Sequence, residues 1–193
     1  METFETLPGV IIMNRKTLST GNRNAFTAIS YNFGLKWAHI VPPKIVKNIT
    51  CILPSCYLKL KLECNKNNNK NSIKFCKKSP SLMISFGSIY RNDFEYYSGI
   101  FLSLDVGYSW QLIPSHINSV HILNHGSILL GWSTVLTSFY FSYDLGHTWK
   151  NYRLGRNFLI PIKTFHDSLS SSLLTTTITQ ADNNNEWGFI KID

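Results

Sequence analysis

Three stretches of the chain set a serine, a carboxylate or its amide, a glycine and a tryptophan at one fixed spacing: Ser30, Asn32, Gly34 and Trp37; Ser103, Asp105, Gly107 and Trp110; Ser142, Asp144, Gly146 and Trp149. Carboxylates that recur in this way invite an acid–base role, and Asp105 and Asp144 are the groups that would carry it. Their neighbours argue for a different use. An Asp or Asn side chain bonds the backbone N–H groups of its own turn, and a glycine two residues later accepts positive φ. The flanking serine and tryptophan then fall on the two strands that such a turn joins. The pattern apolar-Ser-x-(Asp or Asn)-x-Gly-x-x-Trp is that of the Asp-box hairpin, complete in two copies and altered at Asn32 and Lys36 in the first. Asp105 and Asp144 are accordingly read as turn staples, and no residue is assigned a catalytic role.

The other chemically capable side chains are cysteines, histidines and one glycosylation triplet. Cys51, Cys56, Cys64 and Cys76 are separated by four, seven and eleven residues, unlike the paired C-x2-C arrangement of zinc sites. Their even number suits two disulfides in an oxidising compartment. Asn48-Ile49-Thr50 is an acceptor triplet for an Asn-linked glycan, usable only on the luminal side of a membrane. His116, His121 and His125 are spaced as metal ligands can be, yet His121 falls in a strand-like run and His125 in the turn after it, so they read as ordinary structural histidines. Trp132, Phe139, Tyr140 and Phe141 read as core aromatics rather than the lining of a ligand groove. No metal or cofactor is implied.

The elements that must position these groups are strands. With 193 residues, 44% hydrophobic and 16% charged, the chain has the apolar material for a core and too little repulsion to stay disordered. Short apolar or alternating runs bounded by Gly, Pro, Asn and Ser predict strands over 10–14, 24–31, 36–41, 57–62, 81–87, 100–104, 120–123, 127–132, 138–143, 148–153, 173–179 and 187–192. No window holds a helical period with caps. No run approaches the ~20 apolar residues of a membrane helix, and the acidic opening Met-Glu-Thr-Phe-Glu-Thr is unlike a secretory signal. The net charge of +8 is local: nine lysines between Lys44 and Lys78 face one acid, Glu63, while ten basic and ten acidic residues elsewhere cancel. Residues 64–78 read as a solvated Asn/Lys-rich loop insertion. The lack of aromatic residues interleaved with these lysines argues against nucleic-acid binding. Many short strands predict an all-β fold, and the three repeats select a β-propeller.

The context of the repeats resembles the sortilin (VPS10 domain) receptors. Gly9-Val10-Ile11 and the stretch from Ala28 to Trp37 are similar to the family's sequence around a box, and Cys51 to Leu60 resembles its cysteine pair followed by a strand. Pro80 to Ile89 and His121 to Leu130 resemble the segments ahead of the next two boxes, and Trp187 to Asp193 resembles the segment that closes the propeller. The resemblance implies a partial propeller over 1–193, about four blades at ~40 to 50 residues each, the last four of a ten-bladed ring. It also implies a disulfide between Cys51 and Cys56. Cys64 and Cys76 flank the basic insertion and offer a second pair. The family's earlier blades, cysteine-rich module, membrane span and sorting tail are not matched, and its peptide-binding residues lie mostly in those earlier blades, so none is carried over.

What the resemblance implies is a binding module, not an enzyme. The implied module is a partial luminal propeller of a single-span sorting receptor that takes up peptide or protein cargo in the Golgi and endosomes and releases it as the pH falls. The alternative is a sialidase-like glycoside hydrolase built on Asp-boxes. That chemistry needs clustered arginines for the substrate carboxylate and a tyrosine with an acidic partner. Arg15, Arg23, Arg91, Arg153 and Arg156 show no such motif.

Overall fold

The computed structural model describes residues 1–16, 25–62, 72–133, 135 and 138–153, together with the backbone of 159–166, 175–181 and 187–192. The chain divides into two compact units, Met1–Ile113 and Pro114–Asp193. Among the described residues the regular structure is strand, apart from one 3₁₀ turn at Asn124–Gly126, and no helix is long and apolar enough to cross a membrane.

In the first unit β1 (Glu2–Thr3), β2 (Ile11–Lys16), β3 (Ala25–Ser30) and β4 (Ala38–His39) form an antiparallel sheet in chain order. β5 (Ile45–Val46) and β6 (Ile49–Thr50) make a small hairpin. The next sheet comprises β7 (Cys56–Leu60), β8 (Lys74–Cys76), β9 (Ser79–Arg91), β10 (Phe94–Ser103) and β11 (Gln111–Leu112). Its order is β11-β10-β9-β7, with β8 added against β9. Period-two alternation decides what is buried: in β7, Cys56, Leu58 and Leu60 point inward while Tyr57 and Lys59 stay half-buried. Those inward residues share a core with Ile12 and Ile29, which face each other across β2 and β3, and with Met83, Ile89 and Phe101. Burying each such side chain contributes roughly 1.5–3 kcal/mol.

A polar bridge crosses between the two sheets. Thr27 Oγ1 donates to Asn14 Oδ1 at 2.6 Å and accepts from the Leu60 N–H at 2.8 Å, while Asn14 Nδ2 donates to the Leu60 carbonyl at 3.0 Å. Both backbone groups at the inner end of β7 are thereby paired by side chains of β2 and β3, as buried peptide groups must be.

Three departures from the sequence expectation have physical reasons. The strands expected at 81–87 and 100–104 are parts of one long hairpin, Ser79–Arg91 with Phe94–Ser103. Its outer half is held by Tyr90 and Ser88 donating to Glu95 at 3.1 and 3.2 Å and by Tyr57 stacked on Tyr90. The strand expected at 36–41 shrinks to Ala38–His39 because Val41 leaves the sheet, its N–H donating to the Tyr108 carbonyl at 2.7 Å and its carbonyl accepting from Trp110 at 3.0 Å. The segment 64–78, read as a loop, contains β8. Ile73 is buried and Phe75 packs edge-on against Phe4 at 5.1 Å, so the two apolar side chains among the lysines draw this end into the core. Positions 63–71, Cys64 included, lie outside the described residues.

In the second unit β12 (Ser119–Leu123), β13 (Ile128–Ser133), β14 (Ser138–Ser142) and β15 (Lys150–Arg153) form an antiparallel sheet in chain order. Trp132 and Phe139 are cross-strand partners with rings 4.4 Å apart, and they join Leu123, Ile128 and Leu130 in a core against which Phe141 packs. Tyr140 is buried and lies 4.7 Å from the His116 ring. β16 (Leu159–His166), β17 (Thr175–Ala181) and β18 (Trp187–Ile192) form a three-stranded antiparallel sheet. β16 escapes sequence reading because Pro161 interrupts the pattern; the register shifts between Pro161 and Lys163, the bulged position where a strand tolerates proline. The fold is all-β, a succession of antiparallel sheets of the kind that form propeller blades.

Candidate functional site

In each of the three larger sheets one of the repeated turns leads into the last strand: β3 to β4, β10 to β11 and β14 to β15. The serine closes the turn from its first strand. Ser30, Ser103 and Ser142 Oγ accept from the N–H of Gly34, Gly107 and Gly146 at 2.9, 2.9 and 2.7 Å. They donate to the Oδ1 of Asn32, Asp105 and Asp144 at 3.0, 2.8 and 2.8 Å. The same Oδ1 atoms accept from the N–H of Lys36, Ser109 and Thr148 at 2.8, 2.8 and 2.9 Å. Trp37, Trp110 and Trp149 then donate their indole N–H back to the carbonyl of the turn glycine at 2.8, 2.9 and 3.1 Å. Two successive residues take positive φ in every copy, Phe33 and Gly34, Val106 and Gly107, Leu145 and Gly146, and for the second of these glycine removes the steric cost.

The electrostatics follow from the hydrogen bonds. At Asp144 the Thr148 hydroxyl and N–H, aided by Ser142, lower the carboxyl pKa to about 2. Burial acts to raise the Asp105 pKa, but bonds from the Ser109 hydroxyl and N–H and from Ser103 outweigh it, and the net shift is downward. A general acid needs the opposite shift, and a general base needs an oxygen free to take a proton. Here both oxygens of each carboxylate accept bonds from within the turn: the Ser109 hydroxyl donates to Asp105 Oδ2 and the Thr148 hydroxyl to Asp144 Oδ2. The arrangement fixes a backbone shape.

The structure distributes the remaining candidate residues rather than gathering them. Cys51 and Cys56 are joined by a disulfide, with Cα atoms 5.2 Å apart, around the turn that leads into β7. Cys76 has a free thiol at the end of β8. Asn48 sits exposed at the tip of the β5–β6 hairpin. His121 lies in β12 and His125 in the 3₁₀ turn at a φ of 57°. Among the described residues no cluster of His, Cys, Asp and Glu is arranged to hold a metal. Arg15 lies over the Trp37 ring at 5.7 Å, Arg91 ends β9 and Arg153 ends β15, while Arg23 and Arg156 lie outside the described residues.

A family model described as "Sortilin, neurotensin receptor 3" matches residues 1–163. The chain belongs to the sortilin/VPS10 family. It is similar to the human VPS10 domain-containing receptor SorCS1, with 25% identity over 97% of this chain and 16% of that receptor. Human SorCS2 is 23% identical over 96% of this chain and mouse SorCS3 25% identical over all of it, again across 16% of each receptor. This VPS10 sequence therefore spans about one sixth of the length of the curated relatives it matches.

Two features of this VPS10 chain escaped sequence reading. Ser109 and Thr148 supply the second hydroxyl of their turns, and a signal for them exists: Asp105 and Asp144 are each followed four residues later by Ser or Thr, whereas Asn32 is followed by Lys36. An amide nitrogen cannot accept the hydroxyl proton that Oδ2 accepts, so the pair of substitutions is chemically coherent. The Asn14, Thr27 and Leu60 bridge left no such signal, since its members are 13 and 33 or more residues apart.

Proposed function

We propose that residues 1–193 are one section of the luminal ligand-binding propeller of a sorting receptor. This receptor carries peptide or protein cargo between Golgi and endosomes and releases it as the pH falls. The observation that carries this reading is the family match over 163 residues. The relatives are receptors by name, and the family description includes a neurotensin receptor, which makes a peptide the favoured ligand class. The Cys51–Cys56 bond suits a luminal compartment. In this reading the three Ser, Asp or Asn, Gly and Trp sets are Asp-boxes that shape blade corners, residues 64–78 are a basic insertion within the propeller domain, and the module binds rather than catalyses.

The test is a chimera in which residues 1–163 replace the matching stretch of human SorCS1. We expect it to leave the endoplasmic reticulum and to deliver bound peptide to endosomes, with neurotensin as the first probe. Retention of the chimera as a misfolded protein would overturn the reading, and so would hydrolysis of a fluorogenic sialoside by the purified chain.

A further inference from the structure

Asn48-Ile49-Thr50 is the single Asn-x-Ser/Thr triplet in the chain. Val46 pairs with Ile49 and Ile45 with Thr50, leaving Lys47 and Asn48 as a two-residue loop with φ of 44° and 65°. Positive φ at both central residues defines a type I′ hairpin turn. Asparagine holds that conformation more readily than other side-chain-bearing residues, so turn geometry accounts for an Asn here by itself. It does not account for the rest of the arrangement. Both Asn48 and Thr50 are exposed, so the acceptor amide and the hydroxyl that marks it are accessible together. The hairpin is anchored by its base: Val46 and Cys51 are buried, and the Cys51 N–H donates to the Lys44 carbonyl at 2.9 Å. The Tyr96 hydroxyl also donates to the Lys47 carbonyl at 3.4 Å. The tip can therefore carry a large hydrophilic group without moving a core residue. Cys51 follows immediately, and its bond to Cys56 forms in the same oxidising compartment in which Asn-linked glycans are added.

We propose that Asn48 is the attachment point of an Asn-linked oligosaccharide, the one such site in the chain; the inference rests on the luminal reading above. In the transfer, the Asn48 amide nitrogen forms a bond to C1 of the first N-acetylglucosamine of an oligosaccharide carried on a polyprenyl diphosphate. The C1–O bond to the diphosphate breaks, its electron pair leaving with the diphosphate. One amide proton passes to a base of the transferase, and nothing is oxidised or reduced. A glycan at this tip keeps the β5–β6 hairpin out of any buried interface.

The test separates the site from the compartment. The full chain is translated into microsomes behind a cleavable export signal, with a reporter acceptor triplet appended after Asp193, and only chains whose reporter is glycosylated are scored. We expect most of them to bear a second glycan, removable by peptide N-glycosidase, that disappears in N48Q and in T50A and survives in T50S. Reporter-modified chains with Asn48 bare would overturn the proposal and leave Asn48 a turn residue only. The luminal reading is tested apart from this, by protease protection of the native protein in intact vesicles from its own cells. Digestion there overturns that reading without altering the microsome result.

Discussion

Asp144 and Asn32 occupy the same place in their turns and differ by one accepting oxygen, which makes the value of the carboxylate measurable at the scale of a single residue. Both accept the serine hydroxyl and a backbone N–H through Oδ1. Asp144 alone of the two also accepts a hydroxyl, from Thr148, at Oδ2. Its pKa lies at about 2 in the folded chain against an ordinary 3.8. A folded value below the unfolded one means stabilisation that is complete above the unfolded pKa and is lost as the pH falls toward the folded one. We therefore expect the amide protection of Thr148 to be level at neutral pH and to fall between about pH 4 and about pH 2. In D144N, whose side chain does not titrate, protection should be lower at neutral pH and nearly flat across that window. An equal acid response in both proteins would show that the carboxylate contributes nothing beyond its Oδ1. Asp105, shifted in the same direction, should behave likewise in D105N.

At the scale of elements, the turns also serve as packing pieces, and glycine is required for reasons that differ between copies. A Cβ on Gly107 would lie 2.9 Å from Ile12 Cδ1 and 3.3 Å from Ile29 Cδ1, because this turn of the second sheet presses on the first sheet; at Gly34 the nearest neighbour is Trp37 Cζ2 at 3.5 Å, an ordinary van der Waals distance. Both glycines sit at a φ near 85°, so G34A and G107A share a conformational cost of about 1 kcal/mol. G107A adds an overpacking cost of about 1–3 kcal/mol and should lower the melting temperature distinctly more. Equal shifts would mean that the two sheets do not press on each other at this turn. The bridge between the same sheets gives a second expectation. T27V removes a donor and an acceptor while keeping the shape, stranding the Leu60 N–H, and should cost about 1–3 kcal/mol in urea denaturation, with T27S close to the parent. Periodicity and the serine-to-tryptophan spacing made the strands and the turns legible in the sequence, because each is a local pattern. The Thr27 bridge and the support that β7 gives the outer half of β9 were not legible, because each joins strands dozens of residues apart; β8 pairs with the adjacent β9 but is hidden in the sequence by the lysines and asparagines around it.

For the whole molecule, the decisive question is what covers the outer faces of the sheets. A blade in a propeller is packed on both sides by its neighbours. In the first sheet Ile12 and Ile29 face the shared core, so Ile11, Met13 and Phe26, one residue out of phase with them, stand on the opposite face. These three are only partly buried, and Arg15 on the same face is exposed. Apolar side chains also stand exposed along the neighbouring turn, with Phe33 at 74% and Leu35 at 83%. These side chains are apolar surface of the sort that a neighbouring blade covers in a propeller. The 193-residue chain produced alone, covering 16% of the length of its relatives, should therefore associate through this face. Sedimentation should show oligomers or aggregates at micromolar concentration, and M13E should shift the population toward monomer. Peptide titration should give weak or undetectable binding, because a ligand held by a propeller touches several blades and this chain covers only 16% of the length of its relatives. A stable monomer that binds a peptide with micromolar or tighter affinity would show that this section is self-sufficient and that its outer face is closed by its own residues.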